Sequence, residues 1–378
     1  MSADLILRGG RVIDPANQRD AVGDVFVTNG AVSADPAPGA TEINATGCIV
    51  TPGLIDLHTH VYWGGTSLGV DPATYAAKSA TPTLVDAGSA GPGNFAGFAA
   101  HVIAPAVPRV LAYLHVSFAG IYAFASRVMV GESHDMRLMA AREAAEVARA
   151  HPGLIVGIKV RLGAHASGDS RAAPLDVALD VADATGLPLM VHIDEPPPTY
   201  GAVVSRLRKG DVLTHCFRPF PNAPMNGQGK VRPEVLEARE RGVLFDIGHG
   251  MGSFSWRSAR AMLAEGFRPD VISSDIHALC LDGPAHDLPH VMTKFLALGL
   301  PLADIVAMTT TAPASALSRT DLGHLTPGAP GDVSVLRLTP GNVTLTDVEG
   351  ETVIHGERLA AVGYARDGVW HDSPQATP

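Results

Sequence analysis

Residues 49–60 read Ile-Val-Thr-Pro-Gly-Leu-Ile-Asp-Leu-His-Thr-His, and this stretch decides the fold. The run from 54 to 60 alternates as a strand does, so His58 and His60 point to the same face, together with Asp56. Two imidazoles at this spacing, roughly 7 Å along the strand, can lean together and hold one cation. An isolated His-x-His is more often a pair of ordinary surface or core histidines. The rest of the chain must therefore decide between the two interpretations.

Length and composition limit the possible domain organisation and binding partners. The chain has 378 residues, of which 46% are hydrophobic, enough for one domain of roughly 250 residues with a smaller one beside it. The net charge is −10, from 38 acidic and 28 basic residues. No basic stripe suited to nucleic acid or anionic lipid is present. We expect a small-molecule partner.

Cysteine usage and the N-terminal sequence bear on location. The three cysteines, Cys48, Cys216 and Cys280, are an odd number without disulfide-like spacing, which fits a reducing compartment. The N-terminus lacks the charged and apolar regions of a signal peptide, and no stretch is apolar over the length of a membrane span. We therefore expect a cytoplasmic protein that does not enter the membrane.

After residue 60, short apolar runs alternate with helical segments, which is typical of repeated βα units. Eight runs are predicted strands: 54–60, 83–87, 110–117, 154–161, 187–194, 212–217, 243–248 and 271–277. Predicted helices between them include 136–150, with Asp135 as N-cap, and 174–185, which ends before Gly186. Eight such units close into a (β/α)₈ TIM barrel. The alternative, an open doubly wound sheet, lacks a glycine-rich phosphate loop after its first strand.

The two ends of the chain are rich in strands. Residues 1–50 read as short strands interrupted by turns such as Gly9-Gly10, and strands return at 333–338, 343–346 and 352–354. Each end is too short to bury a core by itself. We expect 1–50 and 325–378 to form one small composite β-sandwich domain beside a barrel domain at 51–324.

In such a barrel the chemistry lies where the strands end at their carboxyl side. The polar residues at those positions are His58, His60, Lys159, His192, His215 and Asp275. Without a metal these four imidazoles and the lysine would form a positive cluster with one carboxylate. With divalent cations they become a metal site.

This arrangement resembles the binuclear members of the amidohydrolase superfamily, which carry His-x-His, lysine, histidine, histidine and aspartate on strands 1, 4, 5, 6 and 8. The resemblance covers nearly the whole chain and implies two divalent ions, for which we expect zinc. It assigns His58, His60 and Asp275 to one metal, His192 and His215 to the other, and a bridging role to N-carboxylated Lys159. A carbamate suits that role because an ammonium group cannot ligate a cation.

The resemblance also implies the chemistry of catalysis. A metal-bridged hydroxide would attack the substrate carbonyl, and Asp275 would act as general base and then general acid. His277 either orients Asp275 or satisfies a loop carbonyl.

Three further residues are candidates for substrate contact. Arg161 shares a strand face with Lys159, so it either reaches a substrate carboxylate or pairs with a neighbouring acid. The seventh strand runs into Gly-His-Gly, where His249 and Gly250 either face the substrate or form a capped turn.

Motifs around the histidines and the lysine distinguish between possible reactions. Dihydroorotases carry an arginine two residues after the second histidine, where this chain has Tyr62. Lys-Val-Arg at 159–161 and Asp-Ile-Gly-His-Gly at 246–250 instead resemble the amidohydrolase/deacetylase group. We favour deacetylation of a small carboxylate-bearing substrate, an acetyl ester or amide. The alternatives are a dihydroorotase-like cyclic amidohydrolase and a non-catalytic barrel relative, although no ligand is missing here. Homo-oligomer formation is left open.

Overall fold

The computed structural model describes residues 4–374, and the chain begins with five strands. They are β1 (Leu5–Asp14), β2 (Arg19–Thr28), β3 (Ala31–Ser33), β4 (Thr41–Asn44) and β5 (Ile49–Pro52). The prediction of a turn at Gly9-Gly10 is wrong, because both glycines lie inside β1. The pairing of β1 with β2 shifts register between Leu7 and Gly10, and Gly9 has φ of +70°. Glycine adopts this conformation without steric cost, so the strand absorbs a bulge and continues.

A curled parallel sheet forms the centre of the molecule. Its seven strands, in spatial as well as chain order, are β6 (Ile55–Thr59), β7 (Thr83–Ala87), β8 (Arg109–His115), β9 (Ile155–Leu162), β10 (Leu189–Ile193), β11 (Val212–Leu213) and β12 (Leu244–Phe245). These strands correspond to seven of the eight predicted runs, although the last two are only two residues long. Their side chains are almost all buried, as expected for strands covered on both faces.

The eighth predicted run, 271–277, is not a regular strand. Its backbone nevertheless contacts both edges of the sheet: the amide of Ile247 donates to Val271 O at 3.0 Å, and that of His60 donates to Ile276 O at 2.9 Å. Asp275 has φ of +49°, outside the extended region, which interrupts the ladder between these two contacts. The segment therefore joins β12 to β6 without forming a continuous ladder.

A helix follows each parallel strand and also the 271–276 segment. The α-helices within residues 4–374 are α1 (Pro72–Ser79), α2 (Phe95–Phe98), α3 (Ala141–Ala150), α4 (Ala173–Thr185), α5 (Tyr200–Val204), α6 (Pro233–Glu240), α7 (Trp256–Ala264), α8 (Leu288–Ala297), α9 (Leu302–Ala307) and α10 (Thr311–Ala316). Gly186 ends α4 in the left-handed conformation, as predicted. Asp135 caps only a short 3₁₀ turn, so α3 starts later than predicted. None of the helices in the described part of the chain is long and apolar enough to cross a bilayer.

The chain ends in three strands, β13 (Val333–Thr346), β14 (Thr352–Arg366) and β15 (Val369–Asp372). They join the N-terminal strands in one eight-stranded sheet with the order β15-β14-β13-β5-β1-β2-β3, and β4 pairs with β1. The strands predicted separately at 333–338 and 343–346 are one strand, with a register shift between Pro340 and Val343. The two termini thus share a sheet, and β5 leads directly into β6.

Candidate active site

Three buried side chains converge at the carboxyl edge of the parallel sheet. The Nε2 atoms of His58 and His60 lie 3.2 Å and 3.1 Å from the same oxygen, Oδ1 of Asp275. His58 and His60 come from the end of β6, and Asp275 is brought beside them because its amide donates to His58 O at 2.7 Å. One ligand atom from each residue lies within 4.8 Å of the others. This geometry suits a shared metal ion.

Hydrogen bonds behind the rings orient both imidazoles. Nδ1 of His58 is 2.9 Å from Thr214 Oγ1, and Nδ1 of His60 is 2.9 Å from Ser89 Oγ. Burial lowers the pKa of His58 well below its ordinary value and that of His60 to about 3. Both rings are therefore neutral near pH 7, which is the form that binds metals.

Lys159, which lies within β9, is fully buried beside these histidines. Its Nζ is 3.5 Å from His58 Nε2, and burial lowers the pKa of the ammonium to about 7. Gly88 makes room for the side chain, because a Cβ at position 88 would lie 2.6 Å from Lys159 Cγ. A large fraction of the amine is then neutral at physiological pH, which is the state that reacts with carbon dioxide.

His192 and His215 form a second pair across the edge of the sheet. Nδ1 of His192 lies 2.7 Å from Nε2 of His215, whose own Nδ1 is 2.7 Å from Gly248 O. Because a carbonyl can only accept, His215 carries its hydrogen on Nδ1 and a lone pair on Nε2. The buried Nε2 of His192 has no hydrogen-bond partner among the described residues. Together with His58, His60 and Asp275, these two imidazoles form a donor set that fits a divalent metal preferring imidazole and carboxylate ligands.

The carboxyl group of Asp275 has a raised pKa. Burial raises the pKa of its carboxyl group to about 6, against the opposing effect of His277 and Lys159. A carboxyl group with a pKa near neutrality can both accept and return a proton. The Nδ1 atom of His277 accepts the amide hydrogen of Leu279 at 3.2 Å, so this nitrogen serves a loop amide rather than the loop carbonyl expected from the sequence.

All six predicted ligand positions border one cavity of about 240 Å³. Its lining is His58, His60, Leu68, Phe124, Met129, Lys159, Arg161, His165, His192, Ile193, Asp194, Glu195, His215, Arg218, Met251, Gly252, Ser253, Asp275 and His277. The titratable cluster lies beside apolar side chains and two guanidinium groups. The volume is that of a small molecule.

Arg161 pairs with an acid, as one interpretation of the sequence expected, and it also lines the cavity. Its contact with a substrate carboxylate stays a prediction. Its Nη1 atom is 3.3 Å from Glu132 Oε2, and its guanidinium carbon lies 5.1 Å from the centre of the Phe124 ring. The other oxygen of Glu132 is 3.2 Å from His115 Nε2. Glu132 and Phe124 belong to the long connection between β8 and α3, so sequence spacing gave no indication of these contacts.

Arg218 was not predicted from the sequence as a site residue. It lies three residues beyond His215, is buried, and donates to Ile193 O. Within residues 4–374 it makes no ion pair, and its Nε atom has no hydrogen-bond partner. The signal available in the sequence was a basic residue directly after the sixth predicted strand, 212–217. Arg218 is therefore a cavity-lining guanidinium without an ion pair in the described chain, although Asp194 and Glu195 lie near enough to oppose the lowering of its pKa by burial.

The structure places His249 and Gly250 differently from each other. The prediction that His249 faces the substrate is corrected, because its ring is buried against Phe254, with centroids 4.8 Å apart, and its Nε2 is 2.7 Å from Lys294 Nζ. Neither His249 nor Gly250 lines the cavity. Gly250 instead lies against Asp275: a Cβ there would be 2.2 Å from Asp275 Oδ2, and its φ is +51°. Only glycine leaves this carboxylate its position.

Comparison with known sequences identifies the family of this chain. The model of the amidohydrolase family matches residues 49–214 and 254–354. The chain belongs to the amidohydrolase family, whose members generally bind metal ions, and it is a hydrolase.

Similar proteins include two named deacetylases. One from Agrobacterium fabrum is 34% identical over 334 residues, covering 88% of this chain and 81% of the relative. One from Enterococcus faecalis is 28% identical over 99% of this chain and 100% of its own length.

Solved structures show the same overall architecture. A crystal structure of an adenine deaminase superposes with a TM-score of 0.89 at 28% identity, covering 98% of this chain and 100% of the other. A dihydroorotase has the same TM-score at 30% identity, covering 98% and 99%.

Proposed function

We propose that this amidohydrolase is a metal-dependent deacetylase that hydrolyses an acetyl ester or amide of a small carboxylate-bearing acid. The observation that carries the proposal is the cavity itself, because one space of about 240 Å³ is bordered by the His/Lys/Asp cluster and by two guanidinium groups, those of Arg161 and Arg218. The similarity to deacetylases over most of the chain supports the acetyl group as the part removed.

The same residues suit two divalent ions, which we propose to be zinc. His58, His60 and Asp275 would hold one ion, His192 and His215 the other, and N-carboxylated Lys159 would bridge them. When bound, such ions polarise the substrate carbonyl and lower the pKa of water. The neutral buried imidazoles and the low pKa of Lys159 support this assignment.

Asp275 is proposed to carry the proton through the hydrolysis. It accepts a proton from the attacking water as the new carbon–oxygen bond forms. It then delivers that proton to the leaving oxygen or nitrogen as the bond to the acetyl carbon breaks, which yields acetate and the free hydroxy or amino acid. Gly250 keeps the backbone close to this carboxylate, and Phe124 and Met129 cover the cavity on the side of the β8–α3 connection.

The carboxylate of the substrate is assigned to the two arginines. Arg218 has no ion-pair partner in the described chain, and Arg161 uses one nitrogen on Glu132, which leaves the other donors of its planar fork available. The apolar side chains of Leu68, Phe124 and Met129 would contact the rest of the acid. A cavity with guanidinium groups on one side and apolar side chains on another favours a small molecule with a single carboxylate.

A cyclic amidohydrolase similar to dihydroorotase is the second candidate, and the structural likeness to a dihydroorotase favours it. Tyr62 counts against it. This residue stands where dihydroorotases carry a carboxylate-binding arginine, and its hydroxyl instead donates to Asn94 O at 3.2 Å, outside the cavity.

The finer features of the architecture are also inferences. We take the 271–276 segment as the eighth strand position, so that 51–324 would form a (β/α)₈ barrel. The shared terminal sheet supports one composite β-sandwich domain from 1–50 and 325–378. A cytoplasmic location stays a prediction, as does a small-molecule substrate without nucleic-acid or membrane partners.

A screen for acetate release tests the function. Purified protein supplied with zinc would be incubated with O-acetyl 2-hydroxy acids and N-acetyl amino acids, with their methyl esters, and with dihydroorotate. Acetate from the free acids, at least about 10-fold faster than from the methyl esters, is expected from the charged donors. Ring opening of dihydroorotate without acetate release from any acetyl compound would favour the second candidate and overturn the first.

A further inference from the structure

A chain of hydrogen bonds runs from His58 away from the cavity to a buried carboxylate. Nδ1 of His58 lies 2.9 Å from Thr214 Oγ1, and that hydroxyl lies 2.7 Å from Asp246 Oδ2. The direct distance from His58 Nδ1 to Asp246 Oδ2 is 3.6 Å, which is too long for a hydrogen bond. Thr214 therefore mediates the interaction between the ring and the carboxylate.

The directions of these hydrogen bonds follow from the donors around Asp246. Ser273 Oγ accepts the amide hydrogen of Gly248 at 3.0 Å and donates its own hydrogen to Asp246 Oδ1 at 2.6 Å. The hydroxyl of Thr214 donates to the other carboxylate oxygen, so its lone pairs face His58. His58 must then carry its hydrogen on Nδ1. Its Nε2 is left with a lone pair directed at Asp275.

The surroundings hold this arrangement in place. Thr214 and Asp246 follow the adjacent strands β11 and β12, and both are fully buried. Their amides are fixed by the sheet, since Thr214 N donates to Val191 O and Asp246 N donates to Leu213 O. Gly248, with φ of +45°, brings its backbone against the Thr214 hydroxyl and the His58 ring: a Cβ there would lie 2.3 Å from Thr214 Oγ1 and 2.9 Å from His58 Nδ1.

We propose that Thr214 and Asp246 are positioning residues that hold His58 in the tautomer with a free Nε2 and thereby set the affinity of the His58–His60–Asp275 cluster for a divalent cation. The proposal rests on the metal site of the proposed function. His60 has a separate support in Ser89, so the effect is confined to one of the two rings. Groups that orient metal-binding histidines typically contribute about 10- to 100-fold in metal affinity.

Two substitutions remove the interaction in different ways. In Asp246→Asn the amide group can accept from only one of the two hydroxyls, so either Thr214 or Ser273 loses its acceptor. In Thr214→Val the shape is kept, but the hydrogen on His58 Nδ1 has no partner. Thr214→Ser restores the hydroxyl. Asp211→Asn is the matched control, because Asp211 is equally buried but accepts from Leu189 N and Arg208 at the start of β11.

The measurement is zinc affinity by competition with a chelating dye, with circular dichroism to confirm the fold. We expect Asp246→Asn and Thr214→Val to bind one zinc ion about 10- to 100-fold more weakly. Thr214→Ser and Asp211→Asn should remain within about threefold of wild type. Folded Asp246→Asn and Thr214→Val proteins with wild-type affinity would overturn the proposal, as would Thr214→Ser weakened as much as Thr214→Val. Wild-type protein that binds no zinc would instead overturn the metal site itself.

Discussion

The Nζ atom of Lys159 lies 3.5 Å from the Nε2 atom of His58, and both side chains are buried. An ammonium group beside four imidazoles is unfavourable in the interior, and burial lowers the pKa of this lysine to about 7. Conversion of the amine to an anionic carbamate would replace an unfavourable cation by a metal ligand. The clustering of a low-pKa lysine with neutral histidines is thus explained by the proposed binuclear centre.

Replacement of Lys159 should remove metal and activity together. In Lys159→Ala we expect metal content, measured by elemental analysis, to fall from about two ions per chain to one or fewer, because the bridging ligand is lost. Turnover of the acetyl substrate should fall with it, and millimolar short carboxylic acids should restore part of both.

Lys294→Met is the matched control for Lys159→Ala. Burial also lowers the pKa of Lys294 to about 7, but its Nζ contacts His249, Pro284 O and Thr346 O rather than the cluster. This variant should keep its metal even if it is less stable. Full metal content and normal turnover in Lys159→Ala would show that another group bridges the ions.

Asp275→Asn should separate proton transfer from binding. Asparagine keeps the shape and one ligating oxygen but cannot accept the proton, so turnover should fall about 10²- to 10⁴-fold. Substrate affinity, measured by calorimetry, and at least one bound metal should be retained. His277→Asn is the control at the same cavity wall, with a smaller effect expected because its Nδ1 serves a loop amide. An Asp275→Asn enzyme within a few-fold of wild type would assign proton transfer to another group.

The two arginines should act on KM more than on kcat. Arg218→Met should raise KM for a free acid about 10- to 100-fold, since a hydrogen bond to a charged group contributes about 1.5–3 kcal/mol, and leave KM for its methyl ester nearly unchanged. Arg161→Met should act in the same direction. Equal losses for the acid and the methyl ester would assign these guanidinium groups to structure rather than to recognition of a carboxylate.

A single methyl group at Gly250 should displace the catalytic carboxylate. In Gly250→Ala the new Cβ would lie 2.2 Å from Asp275 Oδ2, at a φ of +51° that L-residues rarely adopt. We expect turnover to fall by at least about tenfold, with the far-ultraviolet circular dichroism spectrum unchanged. Gly252→Ala is the control on the same loop, because no atom lies within 4 Å of its Cβ position. Wild-type activity in Gly250→Ala would show that the loop relaxes.

Much of the candidate site was accessible from the sequence because strand periodicity determines where side chains point. His58 and His60 occupy alternate positions of β6, and Lys159 stands within β9, so burial and direction followed from the pattern of neighbours. His192, His215 and Asp275 each follow an apolar run, and the structure brings all six residues to one cavity. The helix predicted at 174–185 was equally accessible, because Gly186 ends it in the left-handed conformation.

The periodicity argument fails where the backbone leaves the extended conformation. Gly248 and Gly250, on either side of His249, have φ of +45° and +51°, so alternation no longer predicts the direction of that ring, and it turns toward Lys294. Asp275, at +49°, interrupts the run expected to be a regular strand. Sequence spacing says nothing about such local departures unless the turn type is known.

The sequence by itself predicted repeated βα units, because these depend on local patterns of burial and alternation along single strands. Its resemblance to the amidohydrolase superfamily implied the set of candidate ligands. Only the tertiary structure decided which charges meet around the cavity. Glu132 reaches Arg161 across 29 residues of chain, and Arg218 is left without an ion-pair partner in the described chain. The physical reason is that these contacts are set by how loops from different strands pack over the sheet, and no local period encodes that packing.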